Sequence, residues 1–455
     1  MNRQPAVTIR RRAPCFRAHA PCPCPLSPVP CPLSPPARRV VARPAEPYRS
    51  PSQRTPEPGS ALAPATAAAA PLDLLALRGR EFPELDGRSP YLNAASMGAL
   101  PVRARRAMEA WNARRAAVHA MRGADFEPVL QRARAAAARL VNADADEIAL
   151  APNTSYGLNL AAGGLPIEPG RRVVLSDREF PANVYPWLAL EREGRARVDV
   201  IPADALGRPD EDRLLAEIER GDVGIFALSA VQFATGWTAD LARFGRACRR
   251  HGTWFVVDAI QALGCVPVDV RAAEVDVLAC GGHKWLCGPF GTGFVYVRRG
   301  LEERMEPRVV GWTAMEASAD YADCCGYRWG FVEGARRFEV ATQPFHDAAG
   351  FAESVELLLE TGIERIHAHV TSLVDPLAAW LRAREGAEIV TELAPARRSG
   401  VFSFRVGDTA RAHAALHRAG VGCVPREGAV RLSPHLYNTA GEVARVIDVL
   451  DGAEW

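Results

Sequence analysis

The chain has 455 residues, 48% of them hydrophobic and 24% charged, the balance of an ordinary globular protein with room for roughly two to four domains. No run of about 18 apolar residues occurs, which excludes a membrane-spanning helix and a membrane partner of that kind. The formal charge of +2 divides into +8 over residues 1–71 and −6 over the remaining 384, and a mildly acidic body argues against a nucleic-acid partner.

Residues 1–71 hold 17 of the 36 prolines, ten arginines, two copies of CPLSP and an alanine run at 67–70. Such a segment buries too little apolar surface to offset its ordering entropy, so it reads as a disordered Pro/Arg-rich tail. Its proline density opposes an amphipathic transit helix, and no apolar stretch follows Arg11 and Arg12 as an export signal requires. The other reading is upstream DNA translated from a misassigned start. Either way the folded protein is expected from residue 72.

From there helix-like and strand-like stretches alternate. Ala/Arg-rich helices are predicted over 103–119 and 126–141, then a turn at 144–147 entering a short strand that ends at Leu150. A helix start follows at 157–162. Short apolar runs at 172–176, 197–201, 223–228, 254–257 and 275–279 predict strands, separated by helices over 184–193, 210–220 and 239–251. This alternation indicates an α/β domain with a mostly parallel sheet over 72–345, its first 20 or so residues packing on a second domain. Over 346–455 two longer helices (351–361 and 363–384) and strands at 389–392, 401–406 and 430–433 predict a smaller α+β domain.

In parallel sheets ligands sit beyond the carboxyl ends of the strands. Polar and aromatic groups follow five predicted strands: Thr154 and Ser155 after Leu150, Phe180 and Asn183 after the 172–176 run, and Gln232 after the 223–228 run. Asp258 and Gln261 follow the 254–257 run, and His283 and Lys284 follow the 275–279 run.

Lys284 is the only lysine among 55 basic residues. Arginine stays protonated, whereas lysine can lose its proton and attack a carbonyl, so a lone lysine in this setting suggests a Schiff base. Paired with an acid after the neighbouring strand, it points to pyridoxal 5'-phosphate (PLP). Asp258 would face the pyridine nitrogen and keep it protonated. Gln261 or Gln232 would bond the ring hydroxyl, and Phe180 would stack on the ring. Thr154 and Ser155, at a helix start, would bind the phosphate, with His283 as a further donor.

The motifs NTSYGLN, EFPAN, SAVQFATG, VVDAIQALG, GGHKWLCGPFGTGF and RLSPHLYNT give the chain, over about residues 90–455, a resemblance to the class-V aminotransferases of PLP fold type I. This group includes cysteine desulfurases, kynureninase and isopenicillin-N epimerase. The resemblance implies a PLP-dependent transferase or lyase acting on a small amino acid, and a homodimer that shares its active sites. It implies that Thr342 in FEVATQP reaches the phosphate across the dimer, with Trp312 in GWTAM near by. It also implies that Arg431, or the competing Arg426, pairs with a substrate carboxylate; Asn183 is read as a further substrate contact.

The departures bear on the reaction. Desulfurases usually carry His where Phe180 stands. Their nucleophilic Cys follows an Arg-x-Gly, whereas here Arg426-Glu427-Gly428 leads into Ala429 and Val430. Gly281 stands where a Ser often donates to the phosphate. Transamination, elimination and epimerisation therefore remain open, with a Cys-independent cysteine C–S lyase as the alternative and a non-catalytic fold homologue as the second. The eleven cysteines show no paired zinc spacing and read as reduced thiols in a cytoplasm, Cys324–Cys325 being a loop pair. No metal site is expected: His367 and His369 face different sides of a helix and read as solvated surface residues, and Asp144, Asp146 and Glu147 read as turn and cap residues.

Overall fold

The computed structural model describes residues 73–455, excepting 88, 320, 321, 324 and 454. The reading of residues 1–71 and of Cys324 lies outside the described residues.

Seven strands form the central sheet: β1 (Ile148–Leu150), β2 (Arg172–Ser176), β3 (Arg197–Ile201), β4 (Val223–Ser229), β5 (Trp254–Asp258), β6 (Val277–Gly281) and β7 (Gly293–Val297). Their order is β1-β7-β6-β5-β4-β2-β3. Neighbours from β6 through β3 pair in parallel, while β7 runs antiparallel to both β6 and β1. The two reversals cancel, so β1 ends at the same rim as the parallel strands. That single inversion brings Thr154 to the edge where Asp258 and Lys284 emerge.

Both sheet faces are covered, which explains the unbroken apolar runs. Val174, Phe226, Leu228, Phe255, Val257 and Leu278 enter one core, and the intervening Val173, Leu175, Ile225, Ala227, Val256 and Val277 enter the other. A second, antiparallel sheet has the order β10-β11-β9-β8, from β8 (Glu388–Ile389), β9 (Phe402–Arg405), β10 (Val424–Arg426) and β11 (Ala429–Leu432). Phe402, Phe404, Val430 and Leu432 pack there against the helices Ile363–Arg382, Thr409–Arg418 and Ala440–Asp451.

The expected α/β fold with a mostly parallel sheet is borne out. Strand β6 begins two residues later than expected. Strands β7 and β10 and the helices Leu74–Glu81, Thr409–Arg418 and Ala440–Asp451 had no counterpart in the sequence reading.

Candidate active site

Asp258 closes β5 and is 2% exposed, with Oδ1 accepting from the Ile260 N–H at 3.0 Å. Lys284 follows β6 in a tight turn whose carbonyl accepts from Cys287 N at 3.0 Å. Burial pushes the lysine down to about 8, partly opposed by the Asp258 charge. Burial likewise lifts Asp258 to about 6, against the pull of the Ile260 bond and Lys284. Burial thus brings the titration of both groups toward neutral pH, as acid–base work requires. Phe180, 42% exposed, sets its ring centroid 5.5 Å from Lys284 Nζ and meets Phe233 edge-on at 5.3 Å.

Asn153 caps the helix Thr154–Gly164 by accepting from Tyr156 N at 2.9 Å. Thr154 Oγ1 accepts from Gly281 N at 2.9 Å, so its proton is left to donate elsewhere. A Cβ on Gly281 would stand 3.3 Å from Thr154 Oγ1 and 3.4 Å from His283 Nδ1. Hydroxyl, imidazole and helix N-terminus therefore border one small gap, and Ser155 lies exposed on the same turn. His283 stacks on Phe290 at 5.4 Å, and burial together with Lys284 lowers its proton affinity. These donors fit a phosphate.

Arg431, on β11, is 2% exposed. It donates to the Phe233 carbonyl at 2.8 Å and Ser96 Oγ at 2.9 Å, while its buried Nε has no partner. Arg426, on β10, is half-buried and among the described residues bonds only its neighbour's carbonyl, Pro425 O, at 2.9 Å. Thr342 is exposed just ahead of the helix Phe345–Thr361, and Trp312 is also exposed.

Four expectations change. Asn183, read as a substrate contact, is fully buried, giving Nδ2–H to Glu179 at 3.0 Å and accepting from Trp187 Nε1 at 3.3 Å. Its amide is consumed inside the fold. The Gln232 oxygen accepts from the N–H groups of Ala234 and Thr235, both at 2.7 Å, and its nitrogen donates to the Arg178 carbonyl. It shapes its own loop. Gln261 accepts from Trp285 Nε1 at 2.8 Å and donates to Ala95 O at 3.0 Å, which anchors the residue after Lys284. His367 and His369 are half-buried on the carbonyls of Arg398 and Asn438, at 3.1 and 3.0 Å, not solvated.

Glu179 escaped the sequence reading. It is buried beside Asn183 and accepts from Ser229 N at 2.9 Å and from the Ser229 hydroxyl, tying the Phe180 loop to the end of β4. Burial lifts it to about 7 despite those bonds. The only signal available was an acid directly before the aromatic in EFPAN. Strands β10 and β11 are joined by two residues, Glu427 and Gly428, with φ of 46° and 76°, the left-handed pair of a tight hairpin. No cysteine stands in that turn, and Cys423 just before β10 is buried with its thiol pushed up to about 12.

The aminotransferase class-V family matches residues 93–446. A probable cysteine desulfurase of Methanothermobacter thermautotrophicus is 30% identical over 396 residues, covering 79% of this chain and 94% of that protein. Isopenicillin N epimerase of Streptomyces clavuligerus is 29% identical over 338 residues, covering 71% of this chain and 84% of the other. Among solved structures, the cystine C–S lyase C-DES in complex with cysteine persulfide superposes with a TM-score of 0.75 at 25% identity, over 82% of this chain and all of that one. Matched along more than three quarters of its length, the chain belongs to the class-V aminotransferases, as the motifs around Lys284 implied.

Proposed function

We propose that this protein is a PLP-dependent enzyme that labilises a bond at Cα or Cβ of an amino acid. The observation carrying this is the half-buried Lys284 amine within electrostatic reach of the buried Asp258 carboxyl, each pushed toward its neutral form by desolvation at one rim. Bound PLP supplies an electron sink for negative charge developing at the substrate Cα.

The chain's residues supply the rest. Lys284, largely neutral above about pH 8, would hold the cofactor at its aldehyde carbon until a substrate amine takes its place, and the freed amine would then hold or move the proton at Cα. Asp258 would hold the proton on the ring nitrogen, and Phe180 would cover the ring face and keep water off it. Thr154, Ser155, His283 and the helix N-terminus hold the phosphate. Gln261 and Gln232 act by positioning, through Trp285 and the loop after β4. Arg431 takes the substrate carboxylate, since its unsatisfied Nε and remaining N–H groups suit a bidentate anion. Thr342 and Trp312 serve a second subunit, in a homodimer whose sites lie at the interface.

A second reading, a C–S lyase that needs no cysteine nucleophile, is favoured by the two-residue turn at Glu427–Gly428. The test of the main reading is direct. The protein incubated with PLP turns yellow, and borohydride fixes the label to Lys284. A panel of amino acids is then followed for keto acid, pyruvate, sulfide, anthranilate or loss of optical activity. A protein that stays colourless with PLP sinks the enzymatic reading.

A further inference from the structure

Four arginines are buried among the described residues: Arg78, Arg134, Arg172 and Arg431. Three are neutralised. Arg78 meets Asp86 and Glu442, Arg134 meets Glu339 and Glu127, and Arg172 meets Asp199, Glu217 and Asp222. Arg431 alone of the four meets no carboxylate. A buried, unpaired cation is costly, and folds keep one where a ligand completes it.

A second cation faces the same place. The β10–β11 register sets Val424 opposite Arg431 and Arg426 opposite Ala429. Opposed residues share a sheet face, as do residues two apart on one strand, so Arg426 and Arg431 are diagonal neighbours on one face, with Cα atoms about 7–8 Å apart. Arg426 also meets no carboxylate among the described residues. Glu427, the acid next to it, turns to Arg178 at 3.2 Å. Burial lowers the proton affinity of both Arg431 and Lys284, and the Arg426 charge adds to that lowering at each, so its field reaches the reacting amine.

Two neighbouring cations match two anions. One guanidinium has enough free N–H groups to saturate one carboxylate bidentately, so Arg431 can hold the α-carboxylate unaided. A substrate with a single anion would then leave Arg426 uncompensated beside it. We propose that the substrate is an amino acid carrying a second anionic group, with its α-carboxylate on Arg431 and its side-chain anion on Arg426. This names the substrate class of the site and rests on the functional reading above.

The test uses propionate, succinate and glutarate, which lack an amine and cannot react. Each is titrated calorimetrically into the PLP-loaded protein and into the PLP-free protein. At least one dicarboxylate is expected to bind about tenfold or more tighter than propionate. Arg426→Gln is expected to erase that advantage while changing propionate binding less than about threefold, and Arg426→Lys to restore part of it. Arg431→Gln is expected to weaken all three ligands. Equal affinity for mono- and dicarboxylates overturns the proposal. So does an Arg426→Gln variant that loses propionate as severely as succinate, because both arginines would then share one carboxylate. Failure to take up PLP would strike the functional reading, while the ranking of carboxylates on the PLP-free protein still decides this one.

Discussion

Gly98 lies so close beneath Lys284 that a Cβ there would stand 2.1 Å from the lysine carbonyl oxygen. Its N–H also donates to the His283 carbonyl at 2.9 Å. From another direction Gly264, with φ +100°, presses on the next residue, where an added Cβ would come within 2.1 Å of Trp285 O. The Trp285 carbonyl is bonded by His435 Nε2 at 2.8 Å. The backbone carrying the reactive amine is thus gripped on both sides.

Replacing Gly98 by Ala must therefore displace backbone, not a flexible side-chain tip. The expected cost is about 1–3 kcal/mol of stability, as for other overpacked positions. Lys284 shifts with it, so the fraction of protein trapped by borohydride with PLP falls. Urea unfolding and the trapped fraction measure the two effects; a variant matching the parent in both shows that the loop tolerates the intrusion.

Asp258 makes the PLP-free protein sensitive to pH. Its folded pKa, about 6, lies above the ordinary 3.8, so its contribution to stability is fully present below about pH 3.8 and is lost as pH rises through about 6. Lys284 has the other sign: its folded value of about 8 lies below 10.5, so stability from this group grows between those pH values. Asp258→Asn is expected to stabilise the PLP-free protein by roughly 2–3 kcal/mol at pH 8 and by little at pH 4. Equilibrium unfolding at the two pH values reads the difference. A gain of equal size at both would remove titration as its cause.

Lys284→Arg keeps the positive charge but cannot shed its proton. Turnover is expected to fall by about 10²–10⁴-fold or more, and borohydride to leave no label on the chain. Substantial residual turnover in this variant would refute the role given to the amine.

Gly281→Ser is expected to strengthen PLP binding. The space is tight but usable, with Thr154 Oγ1 at 3.3 Å, His283 Nδ1 and Ile260 Cδ1 at 3.4 Å, and no left-handed backbone to strain. One added hydrogen bond to the phosphate corresponds to about a fivefold lower Kd. Equilibrium dialysis against PLP measures it, and weaker binding would mean the phosphate does not lie in this corner.

Some of this was readable from the chain because the physics was local. RVVLS and VGIFAL are continuous apolar runs because both faces of their strands are buried, and the structure ends those strands within a residue of where composition did. Lys284 stood out because no other residue in the chain is lysine. Other features depend on partners far away in sequence. Nothing in EFPAN says that Glu179 turns inward to Ser229, 50 residues on. Nothing near Gln261 says that Trp285 and Ala95 will occupy its amide. Strand β7 was hidden in a glycine-rich stretch, because Gly293 closes against the Cys280 carbonyl where a side chain would collide. Strand β10 is three residues long and contains Pro425, which removes a donor and mutes the strand pattern.

The hairpin tip at Glu427 and Gly428 has a final consequence. Held by Arg178 and only two residues long, it has no slack with which to swing a reactive side chain in over the substrate and out again. On the chemistry proposed here, whatever fragment breaks away from the amino acid departs by diffusion, unattached to the polypeptide.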